Sequence, residues 1–165
     1  MTTTTTQSAS DVPAEAAGTI GVPRLDQQLC FALYSASGLM TKLYRPLLDP
    51  LGLTYPQYLA MLALWERAPS TVGELGEALG LDSATLTPLI KRLEAGGLVT
   101  RRRDMADERR VLVEPTAKGQ ALRGRVKEVS SALACSMPLE AGELKALHAT
   151  LTRLVAGLRY ATAED

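Results

Sequence analysis

Aromatic side chains are scarce in this sequence. One Phe, one Trp and five Tyr make up 4% of its 165 residues, so a core must be built chiefly from Leu, Ala and Val, and the Leu and Ala also favour helix. Net charge is absent as well. The 18 Lys and Arg balance 18 Asp and Glu, so overall charge gives no hint of a polyanionic partner and only the local distribution can. Two cysteines are too few for a disulfide scaffold; a reducing cytoplasm is the expected compartment, and each thiol needs its own explanation. The single histidine, His148, lies on a leucine-rich stretch and reads as structural. No His/Cys spacing suits a metal, and no cofactor is expected. No apolar run is long enough to span a bilayer, the longest being residues 58–65, and the N-terminus lacks the basic start and apolar centre of a secretory signal. What remains is one domain's length of chain with an apolar fraction of 46%, enough for a core.

Residues 71–116 are the most informative stretch. Val72, Leu75, Ala78 and Leu79 recur at helical spacing and are followed by Gly80, where a helix would end. Asp82 stands where an N-cap belongs, and Leu86, Leu89, Ile90 and Leu93 give the next helix one apolar face. Two short helices joined by a glycine-containing turn form the helix-turn-helix pattern, whose second helix can enter the DNA major groove. Ser83, Thr85, Thr87, Lys91 and Arg92 fall largely off the apolar stripe and are the types that meet phosphates and base edges. Pro88 falls in the second turn of that helix, where a late start or a bend is expected. After Gly96 and Gly97, residues 98–103 and 109–113 read as two strands joined by a polar turn. The hairpin carries Arg101, Arg102, Arg103, Arg109 and Arg110. A basic hairpin after a helix-turn-helix is a wing, suited to neutralising phosphates or reaching the minor groove of double-stranded operator DNA. A solvated hairpin charged for solubility is the plain alternative.

The flanks are helical. Residues 1–22 are rich in Thr, Ser, Ala and Pro and read as a disordered leader. From about residue 23, Leu25, Leu29, Leu33, Ala36, Met40, Leu43 and Leu47 recur at steps of three and four, while Cys30, Tyr34, Thr41 and Tyr44 share another face. Residues 68–70 read as a turn between the helix at 55–67 and the helix-turn-helix. Helices at about 117–134, ending before Met137 and Pro138, and at 139–160 follow the wing. A small domain does not easily cover these leucine-rich faces, and they are expected to pair in a homodimer. The fold expected is mainly α with a small β wing: residues 23–165 form one domain, with 23–54 and 117–165 as dimerisation helices and 55–116 as the DNA-binding winged helix-turn-helix.

Two sets of residues carry a resemblance. Asp107-Glu-Arg109, followed by Val111, Val113, Thr116 and Gly119, resembles the wing signature of the MarR family of winged-helix regulators. The resemblance implies that Asp107 orders the wing and that Arg109 enters the minor groove. Pro115 departs from it, standing where the family usually has an apolar residue with an amide hydrogen. The segments 25–34, 44–48, 53–58 and 81–89 are similar to the organic hydroperoxide resistance regulators, the OhrR branch of that family. This resemblance implies that Cys30 senses the peroxide and that Tyr44 and Tyr55 reach it from the partner subunit. It implies further that Cys135 is the second thiol of a two-cysteine group and that Ser83, Thr85, Arg92 and Arg109 face DNA.

Read without the resemblance, the thiols say less. A helical cysteine among apolar residues is most often a buried small hydrophobe. Tyr44 faces nearly the same way as Cys30, yet lies about 21 Å further along a continuous helix, so a Tyr44 touching Cys30 must come from another subunit. Tyr34 lies one turn from Cys30, and the resemblance makes it part of the expected sensor pocket. Cys135, just before a helix break, is a packing residue or a mobile resolving thiol. With the resemblance, the expected function is a repressor released from its operator when an organic hydroperoxide oxidises Cys30. The alternative is a MarR-type repressor released by a small aromatic ligand, with passive cysteines. An enzyme is not expected: neither cysteine stands in the Pro-x-x-x-Thr-x-x-Cys pattern of peroxiredoxins, and Gly73, Gly76 and Gly80 do not form a phosphate loop.

Overall fold

A computed structural model describes residues 24–163; the leader expected at residues 1–22 lies outside them. The chain divides into two units, Met1–Ser37 and Gly38–Asp165. In the first, Leu25–Gln27 form one 3-10 turn and α1 (Leu29–Leu48) begins only after Gln28, whose ψ of 118° is extended. Leu25 therefore stands outside the α-helix whose stripe it was expected to open. Leu25, Leu29, Phe31 and Tyr34 are all exposed.

In the second unit α1 ends with Leu48 buried, and the turn Asp49–Leu51 closes on Gly52, which takes a left-handed φ of 67°. The next helix, α2 (Tyr55–Glu66), starts where Thr54 and Gln57 cap each other, with Pro56 in the permissive first turn. It is apolar on more than one side and buries Tyr58, Ala60, Met61, Leu64 and Trp65, as a helix at the centre of a core does. The Trp65 indole donates to the Gly119 carbonyl at 3.1 Å, so the one tryptophan is both packed and satisfied.

The remaining elements are β1 (Ser70–Thr71), α3 (Val72–Leu79), α4 (Ser83–Ala95), β2 (Val99–Arg103), β3 (Val111–Pro115), α5 (Ala117–Ser136) and α6 (Ala141–Ala163). The sheet is antiparallel in the order β1-β3-β2. Helices with one small sheet bear out the expected class. Three details differ. Ser70 was expected in a turn and instead joins Thr71 in a third strand, with Ser70 opposite Val113; two residues are too few to show alternation. The second hairpin strand begins at Val111 rather than Arg109, because Arg110 still belongs to the turn, its amide donating to the Asp107 carbonyl at 2.9 Å. Pro115 stays in the ladder opposite Val99, and the Thr116 amide supplies the closing bond to the Leu98 carbonyl at 3.0 Å. Leu75, Leu86, Leu89, Ile90 and Leu93 complete the core with Leu98, Val99, Val113 and Val129. On α6, Leu147, Val155, Leu158 and Tyr160 remain exposed.

Candidate functional site

The helix-turn-helix is held by reciprocal caps. Thr71 is the N-cap of α3: its hydroxyl accepts the Glu74 amide at 3.1 Å, while the Glu74 carboxylate accepts the Thr71 amide at 2.7 Å. The Thr71 amide, and the Thr71 hydroxyl donating at 2.9 Å, hold the Glu74 carboxyl below its ordinary value. At the other end Gly80 turns left-handed at φ 65°, and the Leu81 amide returns to the Gly76 carbonyl at 2.9 Å. Asp82 then caps α4, accepting the Thr85 amide at 2.7 Å, and that bond likewise lowers its pKa. Pro88 lies inside α4. With Leu86, Leu89, Ile90 and Leu93 buried beneath, Ser83, Thr85, Lys91 and Arg92 are exposed and Thr87 is half-buried. The five polar residues expected on the outer face of this helix thus lie off its buried side.

The hairpin sorts its arginines. Arg101 donates through Nε to a carboxylate oxygen of Glu94 in α4 at 2.7 Å, and its Nη2 forms an ion pair with the same oxygen at 2.7 Å. Arg102 pairs with Glu114 at 3.2 Å, and Arg110 lies 3.8 Å from Glu74 and 3.9 Å from Asp104. Among the described residues no ion pair engages Lys91, Arg92, Arg103 or Arg109. The Asp107 carboxylate accepts the Arg109 amide at 3.0 Å, a local bond that shapes the turn. An open cleft of about 410 Å³ lies between the first turn of α3, α4 and the hairpin, lined by Gly73, Ser83, Thr87, Arg101, Arg109 and Arg110. Recognition-helix hydroxyls and wing guanidinium groups thus share one concave, cationic surface, the arrangement that meets a polyanion. The Glu94–Arg101 tie was not legible in the sequence, since the partners come from different elements.

The thiols are both free and both exposed. Cys30, in the first turn of α1, is exposed within the single chain, where composition favoured a buried small hydrophobe. Cys135 lies in the last turn of α5, one residue before Ser136 ends it, and Met137 leaves the helix in an extended conformation. Tyr44, Tyr55 and Tyr58 form a cluster: Tyr44 lies 4.6 Å from Tyr55 and 5.6 Å from Tyr58, ring centre to ring centre. Burial, with the neighbouring Tyr55 and Tyr58, pushes the Tyr44 hydroxyl up to about 12, and burial raises that of Tyr55. Both are proton donors at neutral pH. Tyr58 is the third tyrosine of the cluster, brought there by α2 packing against α1. Tyr34 is 78% exposed. Among the described residues no group of His, Cys, Asp and Glu is placed to hold a metal ion, and no helix is long and apolar enough to cross a membrane.

Known proteins fit this geometry. The profile of the transcriptional regulator SarA/Rot family matches residues 42–125. The organic hydroperoxide resistance transcriptional regulator of Bacillus subtilis is 46% identical over 132 residues, covering 80% of this chain and 90% of that protein. Reduced AbfR bound to DNA is 37% identical with a TM-score of 0.72, over 82% of this chain and 93% of that one. BpsR of Bordetella bronchiseptica, described with regulation of its DNA binding by 6-hydroxynicotinic acid, is 25% identical with a TM-score of 0.74, over 82% of this chain and 98% of that one. Caps, recognition helix, basic wing and these likenesses agree: the chain belongs to the SarA/Rot family of DNA-binding transcriptional regulators, winged-helix proteins of the MarR type, and its resemblance is to the organic hydroperoxide resistance branch.

Proposed function

We propose that this regulator is a homodimeric repressor that leaves its operator when an organic hydroperoxide oxidises Cys30. The observation that carries the reading is an exposed thiol at Cys30 in a chain so similar to an organic hydroperoxide resistance regulator. The Cys30 thiolate attacks the outer peroxide oxygen; the O–O bond breaks, the alkoxide leaves and takes a proton from water to become the alcohol, and the sulfur is oxidised to the sulfenic acid. The Cys135 thiol then displaces water from that sulfenic acid and forms a disulfide. Hydroxyl protons of the partner subunit's Tyr44 and Tyr55 serve the thiolate as hydrogen-bond donors, and Tyr34 lines the same pocket.

On the DNA side, Ser83, Thr85, Thr87, Lys91 and Arg92 address the major groove, Arg109 the minor groove, and Arg101 and Asp107 hold the wing in position. Disulfide formation at the end of α5 shifts the dimerisation helices and with them the spacing of the two recognition helices, which half-sites tolerate poorly. The test is release of operator DNA from the reduced protein by cumene hydroperoxide, read beside a non-reducing gel. Cys30→Ser should bind DNA and ignore the peroxide; Cys135→Ser should form the sulfenic acid without the disulfide. Peroxide-driven release that survives Cys30→Ser removes Cys30 as the sensor. Release by a phenolic acid with both thiols still reduced favours the ligand-released reading, for which the likeness to BpsR is the observation.

A further inference from the structure

The turn of the β2–β3 hairpin carries an apolar side chain that folding does not use. Met105 is 96% exposed, the highest value among the exposed large hydrophobic residues. The turn that presents it is closed by its own bonds. The Asp104 amide donates to the Arg110 carbonyl and the Arg110 amide to the Asp107 carbonyl, each at 2.9 Å. The Asp104 and Asp107 carboxylates accept the Ala106 and Arg109 amides, each at 3.0 Å. These bonds engage two of the turn's three carboxylates internally and leave the thioether outermost.

A single exposed hydrophobic residue is ordinary on a protein surface. The position of this one is not ordinary. Arg109 and Arg110, which close the same turn, line the cationic cleft with Ser83 and Thr87, so the tip continues the surface that faces DNA. We propose that Met105 is an apolar DNA contact: the tip enters the minor groove beside Arg109, and the thioether packs against the deoxyribose walls. Minor-groove binders place apolar side chains, methionine included, in that groove, in their case as wedges between base steps. An unbranched, polarizable side chain adapts to the groove without demanding a hydrogen bond. The contact adds what arginine does not, a term independent of counterion release. It rests on the reading of this hairpin as a wing that meets DNA.

The probe is a duplex selected from a randomised pool by the wild-type protein, titrated at two salt concentrations with wild type, Met105→Ala, Met105→Gln, Met105→Leu and Arg109→Ala. Met105→Ala and Met105→Gln should weaken binding by about five- to tenfold, the size expected for one or two methylene groups returned to water, with Met105→Leu close to wild type. The dependence of affinity on salt should be unchanged in all three, and reduced in Arg109→Ala. Thermal unfolding should be the same throughout, since the side chain is exposed. Wild-type affinity in Met105→Ala, or equal loss in Met105→Leu and Met105→Ala, overturns the proposal. If Arg109→Ala also binds like wild type, the wing reading beneath it fails as well.

Discussion

Arginines that look alike in the sequence have different work in the fold. Arg109 has no ion-pair partner among the described residues, whereas Arg101 is tied to Glu94 across the junction of wing and recognition helix. Arg109→Ala and Arg92→Ala should each weaken operator binding by about 1–3 kcal/mol, and Arg109→Ala should also lower the salt dependence by about one phosphate contact. Arg101→Ala and Glu94→Ala should weaken binding to similar extents, and the double variant should be little worse than either, because the two side chains act as one positioning unit. Titration of a labelled duplex measures all four. A second expectation at this scale concerns the tyrosine cluster. Tyr44 is pushed up to about 12 and Tyr55 is raised, so the folded state favours their protonated forms. Stability from this source is complete below the ordinary value of 10.0 and is lost as pH rises through the folded values. Tyrosinate absorbance should show late-titrating groups in wild type, and Tyr44→Phe should remove one of them.

Among the elements, α3 and α4 depend on carboxylates at their first turns. Glu74 and Asp82 both have lowered pKa values because each accepts a backbone amide. A lowered folded value means that the contribution is present above the ordinary values of 4.5 and 3.8 and is lost as pH falls below them. Asp82→Ala should therefore lower Tm at neutral pH, with the difference from wild type narrowing in acid below that range. Equal differences at both pH values would mean that the carboxylate is not the cap. The turn between these helices has a second requirement. A Cβ on Gly76 would come within 2.8 Å of the Leu81 carbonyl, so Gly76→Ala must open the turn. It should cost about 1–3 kcal/mol by the usual scale of overpacking, visible in denaturant unfolding and in lost DNA affinity.

For the molecule as a whole, the outstanding feature is apolar surface on the terminal helices. Leu147, Val155, Leu158 and Tyr160 of α6 are exposed at 45%, 48%, 55% and 71%, and so many on one helix ask for a partner. In the proposed dimer they lie in an extensive twofold interface. Sedimentation at micromolar concentration should find a dimer, and Leu158→Glu should shift it toward monomer while leaving the α2–α4 core folded. A folded wild-type monomer under those conditions would contradict the assembly.

How much of this was legible beforehand depends on distance along the chain. The helix-turn-helix could be read from Leu75, Gly80, Asp82 and Leu86 because spacing, cap and turn are local properties of consecutive residues. The wing was legible for the same reason, as two short strand-like runs around a polar turn. The family resemblance added roles for Cys30, Tyr44 and Arg109 that no local rule supplies. Tertiary structure alone decided the rest. Ser70 becomes a strand only because β3 offers it a ladder edge; Tyr58 joins Tyr44 and Tyr55 only because α2 packs on α1. Arg101 is set apart from Arg109 by Glu94, seven residues away on another element. The exposure of Cys30 and the projection of Met105 are of the same kind. Caps and periodicity are written in neighbouring residues, whereas burial and pairing are settled by which distant groups the fold brings together.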